Sequence, residues 1–186
     1  MHDIALTGLS RSGKDSVAAR LVEVHGYVRV AFADRLKDAA LKANPIIDHV
    51  DMGGGVHLPV TLHEIIAADG WERAKDEYPE VRRFLQYYGQ TVREIDPMFW
   101  IKAAGPAVHE AHAAGRPVVV TDVRYMNEGA FLAVERFRLV RVERPGQTPG
   151  QHISEREMLG YPVHDTIVND DTLSVLAVKA DGLTLL

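Results

Sequence analysis

The sequence predicts an α/β fold, in which helices cover a doubly wound, mostly parallel sheet of five strands. Short apolar segments alternate with segments of helical periodicity over residues 1–43, and the alternation resumes after residue 116. Residues 117–122, PVVVTD, form a continuous apolar run that is typical of a parallel strand covered on both faces. A chain of 186 residues is long enough for one such domain with a sizeable core.

The strands are expected to be short and to alternate with helices along the chain. The expected strands span residues 4–7, 27–33, 117–122, 138–143 and 165–170. The helices of this alternation are expected at 15–24, 34–43 and 127–136. In the first helix Val17, Leu21 and Val24 share one face, and Asn44-Pro45 ends the second helix.

Residues 44–116 interrupt this alternation and are interpreted as a helical insertion within the single domain. Thr61 and Glu64 have the spacing of a capping box, which starts a helix. Pro79 and Pro97 mark the starts of two further helices, because proline fits the first helical turn.

Three segments are expected to depart from regular structure. The helix that follows Pro97 is expected to kink at Gly105-Pro106. The glycines at 53–55 are expected to form a flexible loop. Residues 144–162 are polar and broken by proline and glycine, so they are interpreted as a mobile, lid-like flap that closes over ligands.

The composition argues against several classes of function. A net charge of -5 gives no overall attraction for polymeric nucleic acid. No apolar run approaches the ~20 residues of a membrane span, and the N-terminus lacks the basic start of a signal peptide. The absence of cysteine excludes disulfides and thiolate zinc sites and fits a reducing compartment. We therefore expect a cytoplasmic protein with small-molecule ligands and no membrane partner.

Residues 8–17, GLSRSGKDSV, follow the first expected strand and open the first expected helix. The spacing of Gly8, Gly13 and Lys14 is that of a loop whose backbone N–H groups surround a phosphate, with the lysine ammonium beside the terminal phosphates. The alternative is an ordinary strand-to-helix turn that contains two glycines and a lysine by chance. The position between a strand and a helix favours the phosphate loop.

Asp15 stands where serine or threonine usually holds magnesium. A carboxylate that faced phosphates directly would repel them, but a bound Mg²⁺ reverses the sign, and magnesium prefers hard oxygen ligands. Asp122 ends an apolar strand beside the loop and is a second expected metal ligand, while Ser16 can assist as a hydroxyl. The alternative for Asp15 is a carboxylate that is merely favourable in the first turn of a helix.

Arg124, two residues beyond Asp122, is expected to face the transferred phosphoryl group, although an ordinary Asp-Arg turn after a strand is the alternative. Asn127 and Glu128 have two open interpretations, as caps of the next helix or as substrate-binding residues. His109 and His112 could meet one metal ion, but no third ligand is evident, which favours an exposed helix face.

The insertion contains FLQYYGQTVRE and a set of polar residues near aromatic ones, namely Arg82, Arg83, Gln86 and Arg93. Arginines suit a second phosphate because they bind it in a bidentate manner, and glutamine can contact the edge of a base. The alternative is a solvated basic face over aromatic residues that pack in the core.

The chain resembles the bacteriophage-type deoxynucleoside monophosphate kinases, a branch of the P-loop kinases. The motifs that carry this resemblance extend over nearly the whole chain and are GLSRSGKDSVA, FADRLK, FLQYYGQTVRE, TDVRYMNE, HISE and IVNDDTLSVL. Gln90 stands where that family prefers threonine, and Asp171 follows Asp170 where glycine is common, so the acceptor pocket and the last loop depart from the pattern.

The resemblance implies transfer of the γ-phosphoryl group of ATP to a deoxynucleoside monophosphate, with Mg²⁺ as cofactor, in the host cytoplasm if a phage encodes the protein. The catalytic residues would be Lys14, Arg93, Asp122 and Arg124. The ATP site would comprise Gly8, Arg11, Ser12, Gly13, Lys14, Asp15, Ser16, Arg144 and Asn169. The acceptor site would comprise Asp34, Lys37, Arg82, Gln86, Arg93, Arg124, Asn127 and Glu128, with His152 and Arg156 on the flap.

Two other functions remain open at this stage. One is a related P-loop kinase that acts on dephospho-coenzyme A or a phosphomevalonate-like acceptor. The other is a non-catalytic nucleotide switch, against which the arginine-rich region and the flap argue. Residues 98–104, MFWIKAA, fit either a core or a homodimer interface.

Overall fold

The computed structural model describes residues 2–185. The strands are β1 (Ile4–Thr7), β2 (Val28–Val30), β3 (Ile46–Asp51), β4 (His57–Thr61), β5 (Val118–Val123), β6 (Arg138–Glu143) and β7 (Asp165–Val168). The helices are α1 (Lys14–His25), α2 (Phe32–Ala43), α3 (Leu62–Glu77), α4 (Pro79–Ile95), α5 (Phe99–Ala113), α6 (Met126–Val134) and α7 (Leu173–Gly182). The chain divides into two compact units, one formed by residues up to Phe32 and from Ile101 onward, the other by Ala33–Trp100.

The first unit contains a five-stranded sheet in the order β2-β5-β1-β6-β7, in which every neighbouring pair is parallel. The α/β fold and the five predicted strands are confirmed, but the strand predicted over 27–33 ends at Val30, and residues 32 and 33 belong to α2. All four residues of β1 are buried, as are five of the six residues of β5, because helices cover both faces of a parallel sheet. Since β1 is central, its carboxyl end places residue 8 and the following loop in the middle of the sheet edge.

Helix α7 was not predicted from the sequence. Thr172 caps it by accepting a hydrogen bond from the N–H of Val175 (3.4 Å), and the helix packs against α1. Arg20 makes a bidentate ion pair with Asp181 (2.8 Å for both bonds), and His25 Nε2 lies 2.8 Å from the same carboxylate. These contacts stabilise the pairing of the first helix with the last.

The second unit consists of most of α2, a β-hairpin, α3, α4 and the start of α5. The capping box at Thr61 and Glu64 is confirmed, since each side chain bonds the backbone of the other residue. Pro79 opens α4 as predicted. A buried apolar cluster, which includes Leu62 and Val81, holds the helices of this unit together.

The structure differs from the sequence prediction at three places in the segment 44–116. The glycines at 53–55 form the turn of the antiparallel hairpin β3–β4, and each has a positive φ that favours glycine. The segment is therefore not purely helical. Helix α5 runs continuously through Pro106, whereas α3 contains a non-helical residue, Gly70, with φ 70° and ψ 172°. Within residues 2–185, none of the helices combines the length and the apolar character needed to cross a membrane.

Candidate active site

The loop between β1 and α1 depends on two glycines. Gly8 has φ 139°, and a Cβ atom there would lie 2.2 Å from the carbonyl oxygen of Val142. Gly13 has φ 110°, and a Cβ atom there would lie 2.6 Å from Nδ2 of Asn169. No other residue fits either position without movement of the surroundings, so the loop has the tight curvature that the spacing predicts.

Lys14 is buried at the start of α1 and bonds to the loop itself. Its ammonium donates to the carbonyl oxygens of Gly8 (2.8 Å) and Leu9 (2.6 Å). Burial, with a smaller contribution from the Arg124 guanidinium, lowers the pKa of Lys14 to about 8. Asp15 opposes this shift, but the carboxylates in the region do not offset it. The positive charge of Lys14 is therefore under-compensated, as expected of a site that receives an anion.

Ser12 carries a buried hydroxyl, and among the described residues its Oγ has no hydrogen-bond partner. The loop is held from outside by two amide side chains, since Asn169 donates to the carbonyl of Ser12 (2.9 Å) and Gln147 donates to that of Ser10 (2.9 Å). An unpaired buried hydroxyl costs free energy unless a ligand satisfies it. This orphaned oxygen, together with the glycine cradle, fits a phosphate.

The side chains at the predicted metal site are hard oxygen donors. Asp15 and Ser16 are exposed on the first turn of α1. Asp122 lies in β5, where one carboxylate oxygen accepts the N–H of Phe32 (2.9 Å). Within residues 2–185, no group of three or more acidic or histidine residues is assembled to hold a metal ion. The side chains of Asp15, Ser16 and Asp122 offer the hard oxygen donors that Mg²⁺ prefers.

Arg124, directly after β5, bonds to the flap. Its guanidinium donates to Glu155 (2.8 Å), whose side chain is only 15% exposed. The backbone N–H of Met126 donates to Glu157 (2.8 Å). The flap thus attaches to the start of α6 through two carboxylates. Sequence reasoning assigned no role to Glu155, although it belongs to the HISE motif that carries part of the resemblance.

The remaining part of the flap packs on the sheet and on α6. Met158 is buried, and Arg141 of β6 donates to its carbonyl (3.1 Å) and to that of Tyr161 (2.6 Å). Gly129 of α6 permits this approach, because a Cβ atom there would lie 3.1 Å from the side chains of both Met158 and Tyr161. Residues 158–161 are therefore anchored to β6 and α6.

The predicted flap residues occupy different settings. His152 caps the short 3-10 helix Ile153–Glu155, since its Nδ1 accepts the N–H of Ser154 (3.2 Å). Arg144 and Arg156 are exposed. A cavity of about 320 Å³ lies between the flap and the strand ends, and its lining includes Gly8, Leu9, Arg124, Arg144, Glu155 and Met158. Arg144 and Arg124 are thus brought to one cavity, and His152 stabilises the flap.

Glu128 is buried, with 1% exposure, and caps α6. One carboxylate oxygen accepts the N–H of Arg124 (2.8 Å) and that of Tyr125 (3.1 Å). This geometry favours the capping interpretation over direct contact with a substrate. Asn127, its neighbour, is partly buried.

In the second unit, the predicted arginines lie on two different faces of helix α4. The helical period places Arg82, Gln86 and Arg93 on one face, because they are spaced by four and seven residues. Arg83 lies on another face, is 74% exposed and makes a bidentate pair with Glu80. Arg83 therefore fits the solvated basic face, whereas Gln86 and Arg93 are partly buried.

The predicted acceptor residues on α2 lie close together. Lys37 Nζ is 4.0 Å from Asp34 and 5.6 Å from the ring centre of Trp71. Of the rejected metal candidates on α5, His112 pairs with Asp3 (2.8 Å) and His109 bonds the carbonyl of Gly105 (2.9 Å). Both histidines are exposed and are hydrogen-bonded within the protein.

Comparison with known proteins bears on the identity of the chain. Residues 60–180 match the family model described as deoxynucleotide monophosphate kinase. A candidate deoxynucleotide monophosphate kinase of Acanthamoeba polyphaga mimivirus is 25% identical over 91% of this chain and 89% of its own length. An uncharacterised protein of Ictalurid herpesvirus 1, ORF77, is 33% identical over 53% of this chain, and the match spans less than half (45%) of that protein.

Among solved structures, the CysC APS kinase of Mycobacterium tuberculosis, as a Cys556Ala mutant, aligns over 100% of this chain and 98% of its own. The sequence identity is 18% and the TM-score is 0.40, which is too low for the likeness to bear on fold or function. The family model, in contrast, covers more than half of the chain, and it includes the motifs around Arg93, Arg124 and Asn169. The chain therefore belongs to the deoxynucleotide monophosphate kinase family.

Proposed function

We propose that the protein transfers the γ-phosphoryl group of ATP to the phosphate of a deoxynucleoside 5′-monophosphate, which gives ADP and a deoxynucleoside diphosphate. The observation that carries this proposal is the glycine cradle with the buried, under-compensated Lys14 and the unpartnered hydroxyl of Ser12. Membership of the family supports the choice of acceptor.

The donor would bind at the loop between β1 and α1, with Asp15 and Asp122 as the residues that hold Mg²⁺. When bound, magnesium neutralises phosphate charge and orients the terminal phosphates. Lys14 would exchange its backbone partners for phosphate oxygens, and Ser12 and Ser16 would donate hydroxyls. Arg11 and Asn169 would complete this site at its edges.

In the reaction, an oxygen of the acceptor phosphate forms a bond to the γ-phosphorus while the bond from that phosphorus to the β–γ bridging oxygen breaks. The protein needs to align two anions and to neutralise the charge that develops between them. Arg124 is suited to this role once it leaves Glu155. An arginine in this role can contribute roughly 10³ to 10⁵ in rate.

The acceptor would bind through Arg82, Gln86 and Arg93 of α4 and through Asp34 and Lys37 of α2, and Asn127 is a further predicted substrate-binding residue. The flap, with Arg144, His152 and Arg156, would close over the donor and exclude water. We therefore expect ATP hydrolysis without an acceptor to be slow. A cytoplasmic location and a homodimer stay predictions.

A coupled assay of ADP release, with each deoxynucleoside monophosphate in turn, tests the proposal. The matching ribonucleotides, dephospho-coenzyme A and phosphomevalonate serve as alternative acceptors. We expect turnover with at least one deoxynucleoside monophosphate, and a large fall in kcat, rather than its abolition, in Lys14→Ala, Asp122→Ala and Arg124→Ala with the fold retained. Turnover only with a non-nucleotide acceptor, or full activity in Arg124→Ala, would overturn it.

A further inference from the structure

We propose that Glu128 is a positioning residue for phosphoryl transfer, which acts through the main chain of Arg124. This inference rests on the proposed function, because it assigns Glu128 a part in the same reaction. It also replaces the expectation that Glu128 touches the substrate, since the side chain is 1% exposed.

The carboxylate joins the end of β5 to the start of α6. A single oxygen, Oε2, accepts the N–H of Arg124 at 2.8 Å and that of Tyr125 at 3.1 Å. Because these residues are consecutive, one buried acceptor holds the two backbone N–H groups that flank the Cα atom of Arg124. The strand before them is fixed by pairing of Val123 with Thr7 of β1. Arg124 is therefore held between the sheet and the helix.

A buried carboxylate costs free energy unless charged or polar partners satisfy it. Here the two N–H donors and the positive end of α6 supply that compensation. Removal of the carboxylate would leave two donors beside Arg124 without their acceptor. The turn would then relax, and a shift of about 1 Å in a charged group at a reacting centre is enough to lower turnover roughly 100-fold.

A second capping glutamate in the chain separates positioning from ordinary helix stability. Glu64 occupies the same third position of α3 and accepts the N–H of its N-cap residue, Thr61, at 2.8 Å. Glu64 is exposed and bonds within its own capping box, whereas Glu128 also holds the residue before its N-cap. Both substitutions weaken a helix start, but only that of Glu128 reaches Arg124.

The test compares Glu128→Ala, Glu128→Gln and Glu64→Ala with the wild type, with Mg²⁺, ATP and the best deoxynucleoside monophosphate as substrates. Urea unfolding confirms that each variant is folded at the assay temperature. We expect Glu128→Ala to lower kcat roughly 100-fold with little change in the KM for ATP. Glu128→Gln retains a neutral acceptor of the same shape, so its loss is smaller, roughly tenfold. Glu64→Ala keeps the wild-type kcat.

A double-substitution cycle shows whether Glu128 acts through Arg124. In the Arg124→Ala background, Glu128→Ala is expected to cause no further loss of kcat. Additive losses, or a kcat of Glu128→Ala within threefold of the wild type, would overturn the inference. If Glu128→Ala does not fold, the same criteria apply to Glu128→Gln. Failure of the proposed function is distinct, because it appears as an inactive wild type.

Discussion

Lys14 gives a pH dependence of stability that can be worked out from the structure. Its pKa is lowered from 10.5 to about 8 in the folded protein, mainly by burial. Between these two values the unfolded chain still holds the proton that the folded chain has lost. The unfolded state then binds more protons, so the free energy of unfolding rises with pH across this window. At about 1.4 kcal/mol per unit of pKa, the full effect is about 3.5 kcal/mol.

The substitution Lys14→Met tests this dependence, because methionine keeps an unbranched side chain and lacks the titrating ammonium. Urea unfolding of both proteins at pH 7, 8, 9 and 10 gives the difference in their free energies of unfolding. We expect this difference to shift in favour of the wild type by about 2 to 3 kcal/mol between pH 7 and pH 10. Constant effects of the substitution on packing cancel in the shift.

The control is Lys42→Met, which removes one positive charge at an exposed position of α2. Its curve should run parallel to that of the wild type over the same pH range. If the curve for Lys14→Met is also parallel, Lys14 is not a proton-releasing buried cation, and the account of an under-compensated anion site is refuted. Saturating Mg-ADP should shrink the shift, because phosphate oxygens stabilise the charged lysine.

Three further predictions follow from the contacts. Gly13→Ala places a Cβ atom 2.6 Å from Asn169 at φ 110°, whereas the Cβ atom of Gly26→Ala meets open space at φ 72°. Urea unfolding should therefore show a clearly larger loss of stability for Gly13→Ala. Equal losses of stability would contradict the steric role assigned to Gly13. Glu155→Gln removes the carboxylate that competes with a bound phosphate for Arg124, so calorimetry should show several-fold tighter binding of Mg-ATP. Weaker binding would mean that Glu155 holds the flap in the bound state as well. Asp181→Asn removes a carboxyl group whose pKa is lowered by hydrogen bonds from Arg20 and His25. The stabilisation that the Asp181 carboxylate provides is complete well above pH 3.8 and is lost as the pH falls below that value, so the melting temperatures of the wild type and the variant should converge in acid. A difference in melting temperature that stays constant with pH would exclude the ion pair as the cause.

The sheet could be predicted from the sequence because each strand of a parallel sheet carries its own signal. The run at 117–122 and the four buried residues of β1 are apolar whatever their neighbours. The hairpin β3–β4 carries no such signal, since most of its residues are exposed and Pro59 lies within it. Helix α7 was equally hidden, because packing on α1 and the Asp181 ion pairs, which join distant parts of the chain, hold it in place.

The candidate site likewise contains residues that a local pattern predicts and residues whose roles depend on contacts between distant parts of the chain. Gly8, Gly13 and Lys14 could be found because a fixed local spacing encodes the curvature of one loop. The contact of Arg124 with Glu155 joins residues 31 positions apart, and the burial of Glu128 depends on how α6 meets the sheet. Neither follows from local pattern, so the sequence assigned Glu128 two open roles and assigned none to Glu155.

The contacts of the two cations have a consequence for ligand affinity. Lys14 already bonds two backbone carbonyls, and Arg124 already bonds a carboxylate, so a phosphate must replace these partners rather than fill a vacancy. The net gain in binding free energy is then smaller than the sum of the new contacts. Loss of the bond from Arg124 to Glu155 would free the flap at one of its two carboxylate attachments to the residues around the start of α6. If Arg124 turns to a bound phosphate as proposed, occupation of the phosphate site would be coupled to the position of the flap.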